Sequence, residues 1–225
     1  MLLYEELLLL ALDNQKGSIH FSASSALPFS LAGAILTELY LQGRISIVEK
    51  KLVVIDKRVI GILLLDEALH LLIEQSKDKS MEYWIESLVN KINNLQDKCI
   101  TGLLELGILQ KEEHKFIFIP YYRYPEYNPR PEIDLRDKLN QTVLEHSWPE
   151  EHLYLLLVLI KACNLVNVVF TRENKKIAQN RLKQLVAASA AGTVNSLFAA
   201  ELYKAINNAL AASTAAATSS ISCRL

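Results

Sequence analysis

The chain is short of nearly every residue that usually announces a chemistry. Its three cysteines, Cys99, Cys163 and Cys223, are odd in number and far apart, which excludes a disulfide framework and any zinc spacing among them. Each reads as a small buried hydrophobe or, at Cys223, as part of a free tail, and a reducing compartment fits. None of the seven glycines falls in a Gly-x-Ser-x-Gly, P-loop or Gly-x-Gly-x-x-Gly pattern, and no nucleophile pairs with a base, so an enzymatic reading is disfavoured and no cofactor is implied. A surplus of one charge is also missing. The net charge is −1, which argues against broad nucleic-acid binding. Long apolar runs are absent too: residues 59–65, broken by Gly61, and 153–160 are well under the ~20 residues a spanning helix needs. The first residues include Glu5 and Glu6 where a signal peptide would carry positive charge. The expectation is a cytoplasmic chain, with peripheral contact on a membrane left open.

What is present is a globular composition, 51% hydrophobic and 22% charged, long enough for one large domain or two small ones. The first ordered unit is residues 2–12, apolar nearly throughout, with Glu5 and Glu6 read as the opposite face of a short helix. Residues 18–21 read as a short strand. Pro28 suits the first turn of the next helix, whose apolar positions 31, 35, 36, 39 and 41 keep a helical period up to a stop at Gly43. Arg44 to Asp56 reads as a hairpin turning at Glu49, Lys50 and Lys51. Asp66 starts another helix, and Ser80 is placed to cap one beginning at Met81. The stripe Trp84, Ile85, Leu88, Val89 and Ile92 continues or restarts through Leu106 and stops at Gly107.

The pattern of helix, glycine and hairpin then repeats. The segment from Gly102 to Leu109 echoes Glu38 to Ile45, and here the turn is read at residues 112–115, with a second strand over 115–119. That strand is apolar on both faces, whereas a solvated hairpin alternates, so both faces have to meet protein, a partner or lipid. Phe116, Ile117, Phe118, Ile119, Tyr121 and Tyr122 are therefore the candidate contact residues; the other reading is a hairpin packed on its own domain. Tyrosine suits a headgroup boundary because one end is apolar and the other wet. A loop with Pro125, Pro129 and Pro131 follows. From Pro131 the chain is helical: 131–144, a helix over 153–163 apolar nearly all round and ending near Asn164, a basic amphipathic helix over 172–185, and a last helix over about 191–211.

Other constellations have plain readings. Glu67 and His70 are half of a di-iron pattern without a second copy, so they read as solvated helix side chains. His146 and His152, beside Glu150 and Glu151, are six apart across a proline, where helix-borne metal ligands need three or four. Ser147 and Glu150 have capping-box spacing. Arg172, Lys175, Lys176, Arg181 and Lys183 read as a solvated face, with anionic-surface contact as the alternative. A winged-helix DNA reader needs a basic recognition helix, and the one before the first hairpin has no basic residue between Pro28 and Gln42.

A set of ordered motifs carries a family resemblance: Leu3-Tyr-Glu-Glu-Leu-Leu-Leu-Leu-Ala-Leu-Asp13, Leu31-Ala-Gly-Ala-Ile-Leu-Thr-Glu-Leu-Tyr-Leu-Gln-Gly-Arg-Ile45, Leu64-Leu-Asp-Glu-Ala-Leu69, Trp84-Ile85 and Leu104-Glu-Leu-Gly-Ile-Leu109. Over about residues 2–210 the chain resembles the Golgi phosphoprotein 3 family, and Arg123-Tyr-Pro-Glu126 resembles its bacterial branch. Composition sets off a flexible Ala/Ser/Thr-rich tail over 212–225. The resemblance implies a mainly α fold: a single helical domain over 1–211 with short β-hairpins, one of them projecting (Ile108 to Tyr122). It also implies a non-enzymatic peripheral membrane or adaptor protein that binds phosphatidylinositol 4-phosphate, with the hairpin in membrane contact or homo-oligomerisation. The alternative is a soluble interaction module that self-assembles through the same hairpin. The eukaryotic lipid pocket uses a tryptophan and three arginines; the corresponding positions here are Ser22, Ala32, Asn93 and Gln96, none of which pairs with phosphate as arginine does. Arg44, Lys98 and Arg123 lie near those segments and are candidates for a different anionic-lipid site.

Overall fold

The computed structural model describes residues 1–75, 79–145, 148–188 and 194–222. Among them are helices α1 (Leu3–Ala11) and α2 (Leu27–Leu41), strands β1 (Ile45–Val48) and β2 (Lys51–Val54), helix α3 (Leu63–Glu74), strand β3 (Lys79–Ser80), and helices α4 (Met81–Lys91) and α5 (Leu95–Glu105). Strands β4 (Glu112–Phe116) and β5 (Ile119–Arg123) follow, then helices α6 (Arg130–Leu144), α7 (Glu151–Ala162), α8 (Val166–Val169), α9 (Lys175–Ala188) and α10 (Val194–Ser222). The fold is mainly α with two small antiparallel sheets, as the sequence pattern predicts.

The core is built around the helices with the least polar surface. Residues Tyr154 to Ile160 of α7 are all buried, as are all nine residues of α1. Each such leucine contributes about 1.5–3 kcal/mol relative to an exposed one. Helix α2 packs against α1, α4, α7 and α10, and Tyr40 stacks on Phe198 of α10 with ring centroids 4.0 Å apart. Cys99 and Cys163 are buried in the same core. Cys223, His146 and Ser147 lie outside the described residues.

Most element ends fall where the local chemistry puts them. Gly43 and Gly107 adopt φ of +65° and +66°, and Asn164 ends α7 in the same left-handed region at +58°. The Ser80 hydroxyl accepts from the Tyr83 N–H at 3.3 Å as the α4 cap, and Asn94 at φ +53° separates α4 from α5. The Asp66 carboxylate accepts from the N–H groups of Ile60 and Gly61 at 2.7 and 3.0 Å, so it pins the loop before α3 although the helix already begins at Leu63.

Three expectations are corrected, and one short strand is added. Residues 18–21 form no strand, only a bridge between Leu12 and Ile19. Lys79 and Ser80 add a third strand to the first hairpin by pairing with Leu52 and Lys51. Glu5 and Glu6 do not face water. They are buried at 6% and 9% exposure, because α1 is enclosed on every side and each acid has a partner: Glu5 accepts from the Leu2 N–H at 2.8 Å, and Glu6 pairs with His152 Nε2 at 2.7 Å. The last helix continues past residue 211 to Ser222.

Candidate functional site

The second hairpin is launched by a helix stop and held by its neighbours. After α5 the chain reverses at Gly107, where the Gly107 and Ile108 N–H groups bond the carbonyls of Leu104 and Leu103, each at 3.0 Å. Ile108 and Leu109 are buried and anchor the outgoing chain. Beyond them β4 pairs antiparallel with β5, from Glu112 opposite Arg123 to Phe116 opposite Ile119. The two strands pack chiefly on each other, so the hairpin projects from the helical body.

Here the structure moves the turn. The sequence places it at residues 112–115 with a strand over 115–119. In the structure 112–116 is strand and the turn is Ile117-Phe118, at φ of +57° and +144°. The apolar run is therefore not a buried strand but the tip. Phe116, Ile117 and Ile119 are each two-thirds exposed or more, and Phe118 is 94% exposed. A two-residue hairpin turn ordinarily takes Gly or Asn, because positive φ strains a side chain by ~1–3 kcal/mol. A β-branched isoleucine and a phenylalanine occupy it instead.

The flanks are more conventional. His114 and Tyr121 stack at 5.4 Å, Lys111 sits 3.8 Å from the Tyr122 ring centroid, and Arg123 lies 5.6 Å from that of Tyr121. Pro120 stands opposite Lys115, a position next to the hydrogen-bonded pair at the turn, so its missing N–H is one that would point away from β4 and blunts that edge.

The base is locked to the body. The Tyr124 N–H donates to the Gly17 carbonyl and the Glu126 N–H to the Asn14 carbonyl, each at 3.0 Å, and Asn14 Nδ2 donates to Glu126 Oε2 at 3.2 Å. Gly17, at φ +59°, has backbone of Tyr124 and Pro125 where a Cβ would go. On the far side Glu132, 1% exposed, pairs with Arg136 Nε at 2.5 Å, and Arg136 also donates to the carbonyls of Val168 and Val169 at 2.9 and 3.0 Å. Glu126 is drawn into this group. Burial first, then the charge and hydrogen bond of Glu132, push its carboxyl up to about 7.

The remaining candidates are dispersed. Arg44 is bonded to Asp56, and Lys98 Nζ to Glu67 at 2.5 Å, so both already hold a carboxylate. His70 faces Glu74 at 3.1 Å, and His152 is engaged by Glu6, which holds its imidazole above the usual value. Of the four positions that the resemblance alone sets against a lipid pocket, Ser22 and Asn93 are exposed, Gln96 is half-buried and Ala32 has no exposed surface. No helix among the described residues is long and apolar enough to cross a membrane.

Sequence reasoning missed the carboxylates that organise the interior and the hairpin base: Glu38, which accepts from the Leu3 N–H at 2.7 Å, and the pair Glu126 and Glu132. The one signal was an acid inside an otherwise apolar stripe, as Glu38 is.

Residues 3–209 match the family model described as Golgi phosphoprotein 3 (GPP34). Vacuolar protein sorting-associated protein 74 of Eremothecium gossypii is 30% identical over 144 residues, 55% of this chain and 43% of that relative, so the match spans less than half of the relative's length. With the family model covering nearly the whole helical body and the hairpin, the chain belongs to the Golgi phosphoprotein 3 family.

Proposed function

We propose that this chain is a non-enzymatic peripheral membrane adaptor whose bilayer contact is the β4–β5 tip. The observation that carries the reading is the run Phe116 to Ile119, uncharged, exposed and set on a turn that strains to present it. Family membership and the sorting role in the relative's name support the adaptor part. Four apolar side chains entering the acyl boundary, with Tyr121 and Tyr122 at headgroup depth, suit reversible attachment. Phosphatidylinositol 4-phosphate is the lipid the family implies. With Ser22, Ala32, Asn93 and Gln96 in place of its tryptophan and arginines, the reading here is apolar insertion without that headgroup pocket.

Flotation with liposomes tests the proposal. Phe118→Asp is expected to lower the partition coefficient more than tenfold, since burying one phenylalanine is worth about 1.5–3 kcal/mol. Soluble phosphatidylinositol 4-phosphate headgroup is expected to leave flotation unchanged. Equal flotation of parent and variant would sink the reading.

A second reading is self-assembly through the hairpin. The β4 edge favours it: unlike β5, it has no proline among Glu112 to Phe116 and leaves outward backbone groups unpaired. Light scattering separates the two, because a higher oligomer that Phe118→Asp dissociates, without flotation by the parent, belongs to the second reading alone.

A further inference from the structure

The sheet at the start of the chain carries another concentration of exposed apolar side chains. Ile45, Ile47 and Leu52 face the core, so strand alternation turns Val48, Lys51, Val53 and, one step beyond β2, Ile55 outward. Val48 and Ile55 are more than half exposed. The following segment is irregular but fixed. Asp56 accepts from the side chains of Arg44 and Arg58 and from the Arg58 N–H at 2.9 Å, while Asp66 holds the Ile60 and Gly61 N–H groups. Pinned at these points, the loop holds out Val59 and Leu63, which are 75% and 83% exposed.

The charge around these residues is predominantly positive. Along the segment from Arg44 to Leu63 the cations Arg44, Lys50, Lys51, Lys57 and Arg58 outnumber Glu49 and Asp56 by three in a chain whose net charge is −1; Asp66, which pins the loop, and Glu151, which lies beside Ile55, are the acids that adjoin it from other elements. Lys50, Lys51, Lys57 and Arg58 are all exposed. Single exposed aliphatic residues need no explanation. Four of them on a fixed turn and loop, interleaved with cations, match what an anionic lipid surface takes: aliphatic side chains at the acyl boundary and ammonium groups among the lipid phosphates.

We infer that the β1–β2 turn and the 55–63 loop form a second bilayer contact, selective for anionic lipid. It rests on the membrane reading above but uses none of the hairpin residues. The full chain is floated with vesicles of phosphatidylcholine mixed with phosphatidylserine, and with phosphatidylcholine alone. Val59→Asp with Leu63→Asp, both at exposed positions, is expected to lower partition onto the mixed vesicles at least about tenfold. Lys50→Glu with Lys57→Glu is expected to do so by a similar factor, in a way that added salt imitates in the parent. The inference falls if either double variant floats like the parent, if the parent prefers neutral vesicles, or if the parent binds soluble polyglutamate instead of vesicles. The two contacts fail separately. Loss with Phe118→Asp alone keeps the tip and removes the loop, loss with the loop variants alone does the reverse, and a parent that never floats removes both.

Discussion

Arg136→Met is expected to lower the unfolding free energy by about 3–5 kcal/mol at neutral pH. The guanidinium is the countercharge of Glu132, which is almost wholly enclosed, and the donor to the carbonyls of Val168 and Val169. Methionine fills much of the same space, so the loss reports an unpaired buried carboxylate, together with the two carbonyls that lose a donor, and not a cavity. Urea unfolding of the parent and variant measures it. Arg130→Met in the same helix is the control. Arg130 pairs with Asp134 at 3.0 Å in the open, where such pairs are worth about 0–1 kcal/mol. If the two variants lose equal stability, the group around Arg136 is behaving as surface. The double replacement Arg136→Met with Glu132→Met should recover most of the loss, because removing both charges removes the penalty.

The same group sets a pH dependence. Glu126 titrates near 7 in the folded chain and near the ordinary 4.5 when unfolded. Between those values the folded state holds a proton that the unfolded state has released. Stability therefore falls as pH rises through this window and levels off above it. Glu126→Gln should remove that slope, leaving it close to the parent below pH 4.5 and more stable than the parent above 7. An unchanged slope in urea midpoints across the window would show that Glu126 is not the group responsible.

Gly17→Ala is the other large effect, expected at about 3 kcal/mol or more. The methyl group would collide with the Tyr124 and Pro125 backbone, which has no rotamer with which to yield, and φ of +59° adds its own strain. Relief requires moving the 124–126 segment off the 13–18 loop, which breaks the Tyr124 bond to the Gly17 carbonyl. Amide exchange at Tyr124 and Glu126 should rise well before exchange in α7. Gly43→Ala is the comparison. It has a similar φ of +65° but nothing within 4 Å of the added carbon, so it should cost only about 1–2 kcal/mol.

Much of the helical body was legible because periodicity and left-handed stops are local signals. The apolar stripe of α2 with Gly43, the all-round apolar α7 with Asn164, and the Ser80 cap were read directly from neighbours a few residues apart. The first hairpin was legible for the same reason, with Glu49 and Lys50 at its turn. The second was misregistered because its turn contains Ile117 and Phe118, residues that strand propensity assigns to a strand and that no Gly or Asn contradicts. The six candidate contact residues are the same in either register, since the apolar run is visible whatever its register. The interior acids were not legible: Glu38 finds the Leu3 N–H 35 positions away, and Glu6 finds His152 at a distance of 146. Partners that far apart leave no mark on local spacing.

The Ile117-Phe118 turn sets stability against usefulness at one point in the chain. Ile117→Gly would relax its φ of +57° and should make the hairpin firmer, while removing one of the four side chains proposed to meet a surface. A selection for heat resistance alone would drift toward that glycine and return a sturdier protein with one side chain fewer for the proposed contact. A selection for attachment would have to tolerate the strain. Thermal midpoint and vesicle partition should therefore move in opposite directions across a series of substitutions at position 117, which makes that residue the place to look for the trade-off when the chain is engineered.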